Sequence, residues 1–206
     1  VVGGRDPTRA PRIHGFCLGP FGTNCYVVEA EPEAGGERPC WIVDASFEPG
    51  ELIEHVRRQG LTPRAVVLTH AHVDHIASLP FLLDARIGAG TLEVLALRET
   101  IAALRVHIFN NKIWPDFERI PDPKAPFLRF REIERERPFE LHGLTYTPVA
   151  VDHTIPTVGF AVEDARAAVV FSSDTGPTRR LWEVAHRLER LRAVVLEVSF
   201  PERLER

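Results

Sequence analysis

The sequence of 206 residues is long enough for one domain with a substantial core, and its 44% hydrophobic and 26% charged residues are typical of a globular protein. A formal net charge of −4 gives no electrostatic basis for binding nucleic acid, so we expect no nucleic-acid partner. No apolar run approaches the length of a membrane span, and we therefore expect no membrane partner.

The cysteines and the start of the chain bear on the cellular compartment. Cys17, Cys25 and Cys40 are odd in number and have no close metal-binding spacing, which favours reduced thiols over a disulfide framework. The chain begins at Val1 without a signal-peptide pattern. We predict a cytoplasmic protein, with a removed secretory signal as the alternative, and we leave a homodimer open.

Strands and helices alternate in the first part of the chain. The predicted elements are strands at 13–18 and 25–29 around a turn at 19–24, a strand at 40–44, a helix at 48–59, a strand at 64–69 and a short helix at 76–83. The order of strand, helix, strand and helix from residue 40 onward indicates a βαβ unit.

Four side chains of metal-ligand type follow the apolar run 65–68 within six residues, and they are His70, His72, Asp74 and His75. In extended backbone, residues two apart point to the same side, so His70 and His72 can bind one cation together. Asp74 and His75 lie where the chain turns into the helix and can bind a second. Imidazole and carboxylate suit zinc, manganese or iron better than magnesium or calcium. A solvated polar turn is disfavoured by the number of ligand-type side chains.

Asp44 ends the predicted strand at 40–44 and has two interpretations. It is either a turn or helix-capping carboxylate, or a partner that orients a ligating histidine. The residues alone favour neither.

A proline-rich connection follows a predicted strand at 91–97 and a predicted helix at 99–110. It contains Asn111 and Trp114, and His107 lies just before it. A purine pocket needs an aromatic face and hydrogen-bonding groups, which this connection offers. The alternative is a surface loop held by a buried tryptophan, and composition alone favours that alternative.

In the second part of the chain, His153 and Asp174 each follow an apolar strand. The predicted elements here are strands at 127–133, 138–141, 144–151, 158–163 and 167–172, a helix at 178–191 and a strand at 193–198. His153 opens a loop as His70 does and is the natural further ligand beside His70 and His72. Asp174 is either a turn residue before the helix or a carboxylate that bridges two cations.

These motifs together resemble the class II 3′,5′-cyclic nucleotide phosphodiesterases of the metallo-β-lactamase superfamily. The motif His-Ala-His-Val-Asp-His at 70–75 is specific only to the superfamily. The stretch Asn-Asn-Lys-Ile-Trp-Pro at 110–115 and Ser199-Phe200-Pro201 single out the narrower family. Further matching segments are His153–Phe160, Ser173–Thr178 and Glu197–Pro201.

The resemblance implies an α/β fold, the metallo-β-lactamase-like αββα four-layer sandwich, and two divalent metal ions, zinc first with manganese and iron as alternatives. It implies that His70, His72 and His153 bind one ion, that Asp74 and His75 bind the other, and that Asp174 bridges them. The implied reaction is hydrolysis of cyclic AMP or cyclic GMP to the 5′-nucleotide by a hydroxide on the metals, with Asp74 as the catalytic group. The implied substrate-binding residues are His107, Asn111 and Trp114.

The sequence departs from this family at two places. Ser78 stands where relatives commonly have Gly, and the family's last histidine ligand lies beyond Ser199-Phe200-Pro201, where the sequence ends. We therefore expect one hydrolase domain over residues 1–206 that is truncated at its carboxyl terminus, with an incomplete second metal site and weak activity.

Other functions with the same ligands stay open. The first is a ribonuclease Z-like phosphodiesterase acting on RNA, for which the net charge of −4 supplies no basic surface. A thioester or lactam hydrolase would differ only in its substrate loop. A metal-binding or redox scaffold is the alternative that is not a hydrolase.

Overall fold

The computed structural model describes residues 12–30, 32–33 and 35–197. The chain divides into two compact units, Val1–Ile133 and Glu134–Arg206, which we call the amino-terminal and carboxy-terminal units. Among the described residues, the main sheet of the first unit has six strands and the sheet of the second has five.

The amino-terminal unit alternates strands and helices after an initial hairpin. Its elements are β1 (Arg12–Leu18), β2 (Thr23–Glu29), β3 (Arg38–Val43), α1 (Gly50–Arg58), β4 (Leu61–Val67), α2 (Val73–Ile76), α3 (Leu79–Ala85), β5 (Leu92–Leu97), α4 (Arg98–His107), β6 (Pro121–Asp122), β7 (Ala125–Pro126) and β8 (Leu128–Ile133). The strand order in the main sheet is β1-β2-β3-β4-β5-β8. Strands β1, β2 and β3 pair antiparallel, and β3, β4, β5 and β8 pair parallel.

Burial explains why the parallel part of this sheet lies at the centre of the unit. The run from Ala65 to Leu68 is completely apolar and at most 1% exposed, as expected for a parallel strand covered on both faces. Helix α1 buries Leu52 and Val56, one helical turn apart, and ends before Gly60, whose φ of 62° closes the turn. The apolar periodicity therefore positions the carboxyl ends of β3, β4 and β5 along one edge of the sheet.

The carboxy-terminal unit is mostly antiparallel. Its elements are β9 (Phe139–Leu141), β10 (Leu144–Ala150), β11 (Val158–Glu163), β12 (Ala168–Phe171), α5 (Arg180–Arg187) and β13 (Leu191–Val195). The strand order is β13-β12-β11-β10-β9, and only β12 and β13 pair parallel. Helix α5 buries Leu181 and Ala185, which pack with Val149, Ala161 and Val170 of the sheet. This small core supports the strand ends that precede two of the predicted ligands.

Most predicted elements are present within a few residues of their predicted bounds. The helix predicted at 178–191 was too long, because α5 ends at Arg187 and Leu188 is extended with a ψ of 99°. The proline-rich run also contains a two-stranded ribbon, β6 and β7, which was not predicted. Ser199-Phe200-Pro201 lie outside the described residues. No helix in the described part of the chain combines the length and apolar character needed to cross a membrane.

Candidate metal centre

The four-ligand motif lies directly after β4, at the carboxyl edge of the parallel strands. Helix α2 begins at Val73, so Asp74 and His75 lie in its first turn, and the His75 N–H donates to the His72 oxygen at 3.0 Å. His70 is 0% exposed and His75 is 2% exposed, whereas His72 and Asp74 are partly exposed. The motif thus combines buried ligands with an opening to solvent, which a hydrolytic metal site needs.

His70 and His72 face each other, as the spacing in the strand end predicted. The Nε2 atom of His70 lies 3.1 Å from the Nδ1 atom of His72. Two bare imidazole nitrogens at this distance repel, so either a proton or a cation must lie between them. In a tetrahedral zinc site with ordinary Zn–N bonds, two nitrogens lie about 3.3 Å apart. The pair therefore fits one metal ion.

The Asp44 side chain is the buried partner of the motif. Asp44 is 2% exposed and has a φ of 59°, a left-handed conformation at the end of β3. Its Oδ1 accepts from the Thr69 N–H at 2.8 Å, and its Oδ2 accepts from the Thr69 hydroxyl and the His75 ring, each at 2.8 Å. Of the two interpretations of Asp44, the structure supports the partner that orients a histidine.

These hydrogen bonds fix the tautomers of two histidines. The carboxylate can only accept, so the His75 proton lies on Nδ1 and Nε2 keeps its lone pair. The Thr69 hydroxyl gives its single proton to Asp44, so its 3.0 Å contact with the Nδ1 of His70 requires that ring nitrogen to donate. Both rings then present the Nε2 lone pair, the form in which histidine binds a metal.

Asp74 has a separate partner on β2. The Thr23 hydroxyl donates to the Oδ2 of Asp74 at 3.0 Å, and the same oxygen lies 3.5 Å from the Nε2 of His75. Thr23 is 5% exposed, whereas Asp74 is partly exposed. Sequence reasoning missed both Thr23 and Thr69. The position of Thr69, immediately before His70, was a signal in the sequence that it contacts the motif. Nothing in the local sequence pointed to Thr23.

In the carboxy-terminal unit, His153 and Asp174 lie on neighbouring loops. The Nε2 of His153 is 4.0 Å from the Oδ2 of Asp174, and their side chains are 19% and 27% exposed. The Gly176 N–H donates to the Asp152 oxygen at 2.7 Å, which ties the loop after β10 to the loop after β12. A Cβ atom on Gly159 would lie 2.5 Å from the backbone oxygen of Phe171. Only glycine therefore fits on β11 beside the end of β12, which leads into the loop with Asp174. The structure therefore brings these two predicted ligands together.

The loop from His107 to Phe117 is organised by its own side chains. The Oδ1 of Asn110 accepts from the N–H groups of Lys112 and Ile113, and the Oδ1 of Asn111 accepts from the Asp116 N–H, each at 2.9 Å. Both amides thus give their oxygens to the backbone, so Asn111 offers a ligand its NH₂ group.

The aromatic ring of this loop is half-buried. Trp114 packs edge-on against Phe81, with ring centroids 5.1 Å apart. Its buried indole N–H has no hydrogen-bond partner in the described part of the chain. His107 is exposed as the last residue of α4. The loop thus contains an aromatic ring that is held in place and a buried N–H without a partner among the described residues. Both features are compatible with a purine pocket and with a surface loop held by a buried tryptophan.

The buried cysteines do not extend the site. Burial, with a smaller contribution from the charge of Asp44, raises the pKa of Cys25 to about 12, and burial raises that of Cys40 to about 12. Both thiols stay protonated at neutral pH, whereas a metal ligand or nucleophile must be the thiolate. All three cysteines are free thiols, as predicted.

The family model of the Beta-lactamase superfamily domain matches residues 41–206 of this chain. Ribonuclease Z from a Mycobacterium species (strain KMS) is 33% identical over 128 residues, which cover 57% of this chain and 45% of that protein. The 3′,5′-cyclic-nucleotide phosphodiesterase of Candida albicans is 24% identical over 155 residues, 75% of this chain and 34% of that protein. The chain thus spans less than half the length of these two relatives.

Among solved structures, unliganded yeast PDE1 superimposes with a TM-score of 0.71 at 18% identity, covering 95% of this chain and 77% of that one. At this identity the superposition bears on the fold alone. With the family match, it confirms the predicted metallo-β-lactamase-like α/β fold with mixed sheets.

Proposed function

This chain belongs to the Beta-lactamase superfamily domain family and has the fold of its metal-dependent hydrolases, and we propose that it hydrolyses 3′,5′-cyclic nucleotides to 5′-nucleotides. The family implies divalent metal ions, and the facing nitrogens of His70 and His72 fit one. We propose zinc, with manganese and iron as alternatives, because the candidate ligands are imidazole and carboxylate groups.

The proposed ligand sets are those that the sequence predicts. His70, His72 and His153 would hold one ion, Asp74 and His75 the other, and Asp174 would bridge the two. Two observations support this assignment, each within one unit. The motif after β4 presents its nitrogens and carboxylate together, and His153 lies 4.0 Å from Asp174. When bound, the two cations would lower the pKa of water and neutralise charge on the phosphoryl oxygens.

The protein's own residues prepare this site for an anionic substrate. Asp44 accepts a hydrogen bond from the Nδ1 of His75, and Thr69, held by Asp44, accepts one from the Nδ1 of His70, so both Nε2 lone pairs are available to a metal. The Thr23 hydroxyl fixes one oxygen of Asp74, and the other oxygen remains for a metal or for a proton of the attacking water. We therefore propose Asp74 as the catalytic residue that holds the second metal and orients the nucleophile.

The substrate proposal depends on the loop from His107 to Phe117. Trp114 is held by Phe81 and offers an aromatic face for a base, and the NH₂ of Asn111 can donate a hydrogen bond to the base. The 24% identity to the Candida phosphodiesterase, over 75% of this chain, supports the same substrate. We propose His107, Asn111 and Trp114 as the base-binding residues.

A substrate comparison tests this proposal. The purified protein, reconstituted separately with zinc, manganese and iron, is assayed against cyclic AMP, cyclic GMP and bis(p-nitrophenyl) phosphate. We expect metal-dependent release of the 5′-nucleotide, with a higher kcat/KM for a cyclic nucleotide than for the generic diester. Hydrolysis of the generic diester alone would contradict the proposed cyclic nucleotide substrate but would still agree with a metal-dependent hydrolase.

A ribonuclease Z-like activity on RNA is the second candidate. The 33% identity to ribonuclease Z favours it, although it extends over 57% of this chain. The net charge of −4 argues against it, because RNA affinity comes largely from basic side chains on phosphates. Cleavage of a labelled RNA at physiological salt, without turnover of cyclic nucleotides, would favour this candidate.

A further inference from the structure

A second group of ligand-type side chains lies in the amino-terminal unit, apart from the 70–75 motif. It consists of His14 on β1, Glu29 at the end of β2 and His55 on α1, and we call it the His14 cluster. One ligand atom from each residue lies within 4.8 Å of the others. The His14 Nε2 is 2.8 Å from Glu29 Oε1, and the rings of His14 and His55 have centroids 4.2 Å apart.

We propose that the His14 cluster binds one divalent transition-metal ion, with zinc as the first candidate, independently of the catalytic centre. Two imidazoles and one carboxylate form the ligand set of many zinc sites that keep a solvent position. The partly exposed side chain of His14, 33% accessible, gives a metal ion a route from solvent.

The buried residue His55 has a ring nitrogen that is unpaired in the described part of the chain. This residue is only 9% exposed, and its Nε2 has no hydrogen-bond partner among residues 12–30, 32–33 and 35–197. Buried polar atoms are nearly always hydrogen-bonded, so an unpaired ring nitrogen beside two other ligand-type groups requires an explanation. A metal ion would use this lone pair.

Arg38 holds the Glu29 carboxylate in place. Arg38 donates from Nη2 to the Oε2 of Glu29 at 2.9 Å, and it also donates to the Gln59 oxygen at the end of α1. Arg38 therefore fixes the carboxylate and leaves Oε1 facing His14. Metal-binding carboxylates are typically oriented by such a hydrogen bond on the second oxygen.

His55 and Glu29 have the protonation states that metal binding requires. Burial, with the nearby charges of His14 and Arg58, lowers the pKa of His55, so its ring is neutral at neutral pH. Burial would raise the pKa of Glu29, but hydrogen bonds from His14 and Arg38 outweigh burial and lower it. His55 and Glu29 are thus in the forms that bind metals, whereas a metal ion must displace the proton that His14 donates to Glu29.

The geometry requires a modest adjustment. Ligand atoms of a tetrahedral zinc ion lie about 3.3 Å apart, so the widest separation in the cluster must shorten by at most roughly 1.5 Å. Side-chain rotation of the half-exposed His14 can supply this movement. The positive charge of Arg38 opposes a cation, so we expect weaker binding here than at a site with the same ligands and no arginine.

The experiment separates this cluster from the catalytic ligands. In a His70→Ala/His72→Ala/Asp74→Ala/His75→Ala background, the metal-free protein is titrated with Co²⁺ and Zn²⁺ and followed by calorimetry and by the Co²⁺ absorption spectrum. We expect one equivalent to bind, with nitrogen and oxygen ligation. Adding Glu29→Gln, nearly equal in size to glutamate, should weaken binding about tenfold or more. His55→Phe should remove it.

His186→Gln is the matched control, because His186 lies on α5 outside both clusters, and it should leave the titration unchanged. Circular dichroism of every variant checks folding. If His55→Phe does not fold, the metal affinity of the Glu29→Gln variant tests the proposal by itself. Absence of binding in the background protein would overturn the proposal. Equal affinity with and without Glu29→Gln would overturn it as well and would leave His14, Glu29 and Arg38 as an ion-pair network.

Discussion

Replacing Asp44 with asparagine tests the hydrogen-bond network that prepares the histidines. The Asp44 carboxylate accepts from three donors, the Thr69 N–H, the Thr69 hydroxyl and the His75 ring, each at 2.8 Å. An asparagine of nearly the same size keeps one acceptor oxygen and turns the other into an NH₂ donor. At least one buried donor must then face another donor, so Asp44→Asn favours the His75 tautomer whose proton lies on Nε2.

The expected magnitude follows from these contacts. Loss of a partner that orients a metal-binding histidine typically weakens metal affinity by about 10–100-fold, or about 1.4–2.8 kcal/mol. A buried donor left without an acceptor lowers the free energy of unfolding by about 1–3 kcal/mol. We therefore expect Asp44→Asn to fold with a lower Tm and to bind zinc at least about tenfold more weakly than the parent.

Zinc affinity is measured by competition with a chromophoric chelator, and Tm by circular dichroism of the metal-free proteins. Asp84→Asn serves as the matched control, because Asp84 is exposed on α3, and it should change neither quantity. A folded Asp44→Asn protein with parental zinc affinity would show that the carboxylate does not set the state of the histidines.

Three further predictions concern catalysis, substrate binding and thiol chemistry. Asp74→Ala should abolish turnover with an unchanged circular dichroism spectrum, because it removes a proposed metal ligand, and parental kcat would contradict its role. Trp114→Ala should lower kcat/KM for cyclic nucleotides more than for bis(p-nitrophenyl) phosphate, and equal losses would mean that the ring only supports the loop. Iodoacetamide at pH 8 should alkylate only the exposed Cys17, because thiol pKa values of about 12 keep Cys25 and Cys40 protonated. Mass spectrometry should then show one added group, and alkylation of either buried thiol would contradict this burial.

Local sequence patterns were sufficient for the motif after β4. An apolar run followed by His70 and His72 predicted a buried strand end with two facing imidazoles, and the structure has both nitrogens 3.1 Å apart. The information was local because strand alternation alone sets which side chains share a face. The same holds for His153 and Asp174, each of which follows its own strand.

Interactions between distant segments were not predictable from the sequence. Whether Asp44 orients a histidine depends on the parallel pairing of β3 with β4, which places it beside Thr69 and His75. The contact of Thr23 with Asp74 joins residues 51 positions apart, and local periodicity carries no information on such pairs. The His14 cluster was missed for the same reason, since it joins β1, β2 and α1.

The end of α5 illustrates a different limit. The apolar spacing continues past Arg187, and we predicted a helix to Leu191. The helix instead stops so that Leu191–Val195 can pair with β12, and the Ala168 N–H donates to the Arg190 oxygen at 2.9 Å. Pairing within the sheet overrides local helix propensity here.

We propose that six side chains, from the motif after β4 and from the loops after β10 and β12, bind two metal ions. Crystals of the zinc-loaded protein, measured on both sides of the zinc absorption edge, test it directly. We predict a strong anomalous peak with His70, His72 and His153 at about 2.0–2.2 Å from the ion. We predict a weaker peak at the incomplete second site, with Asp74 and His75 at that distance and Asp174 touching both ions. Peaks that His153 and Asp174 do not contact would contradict the claim.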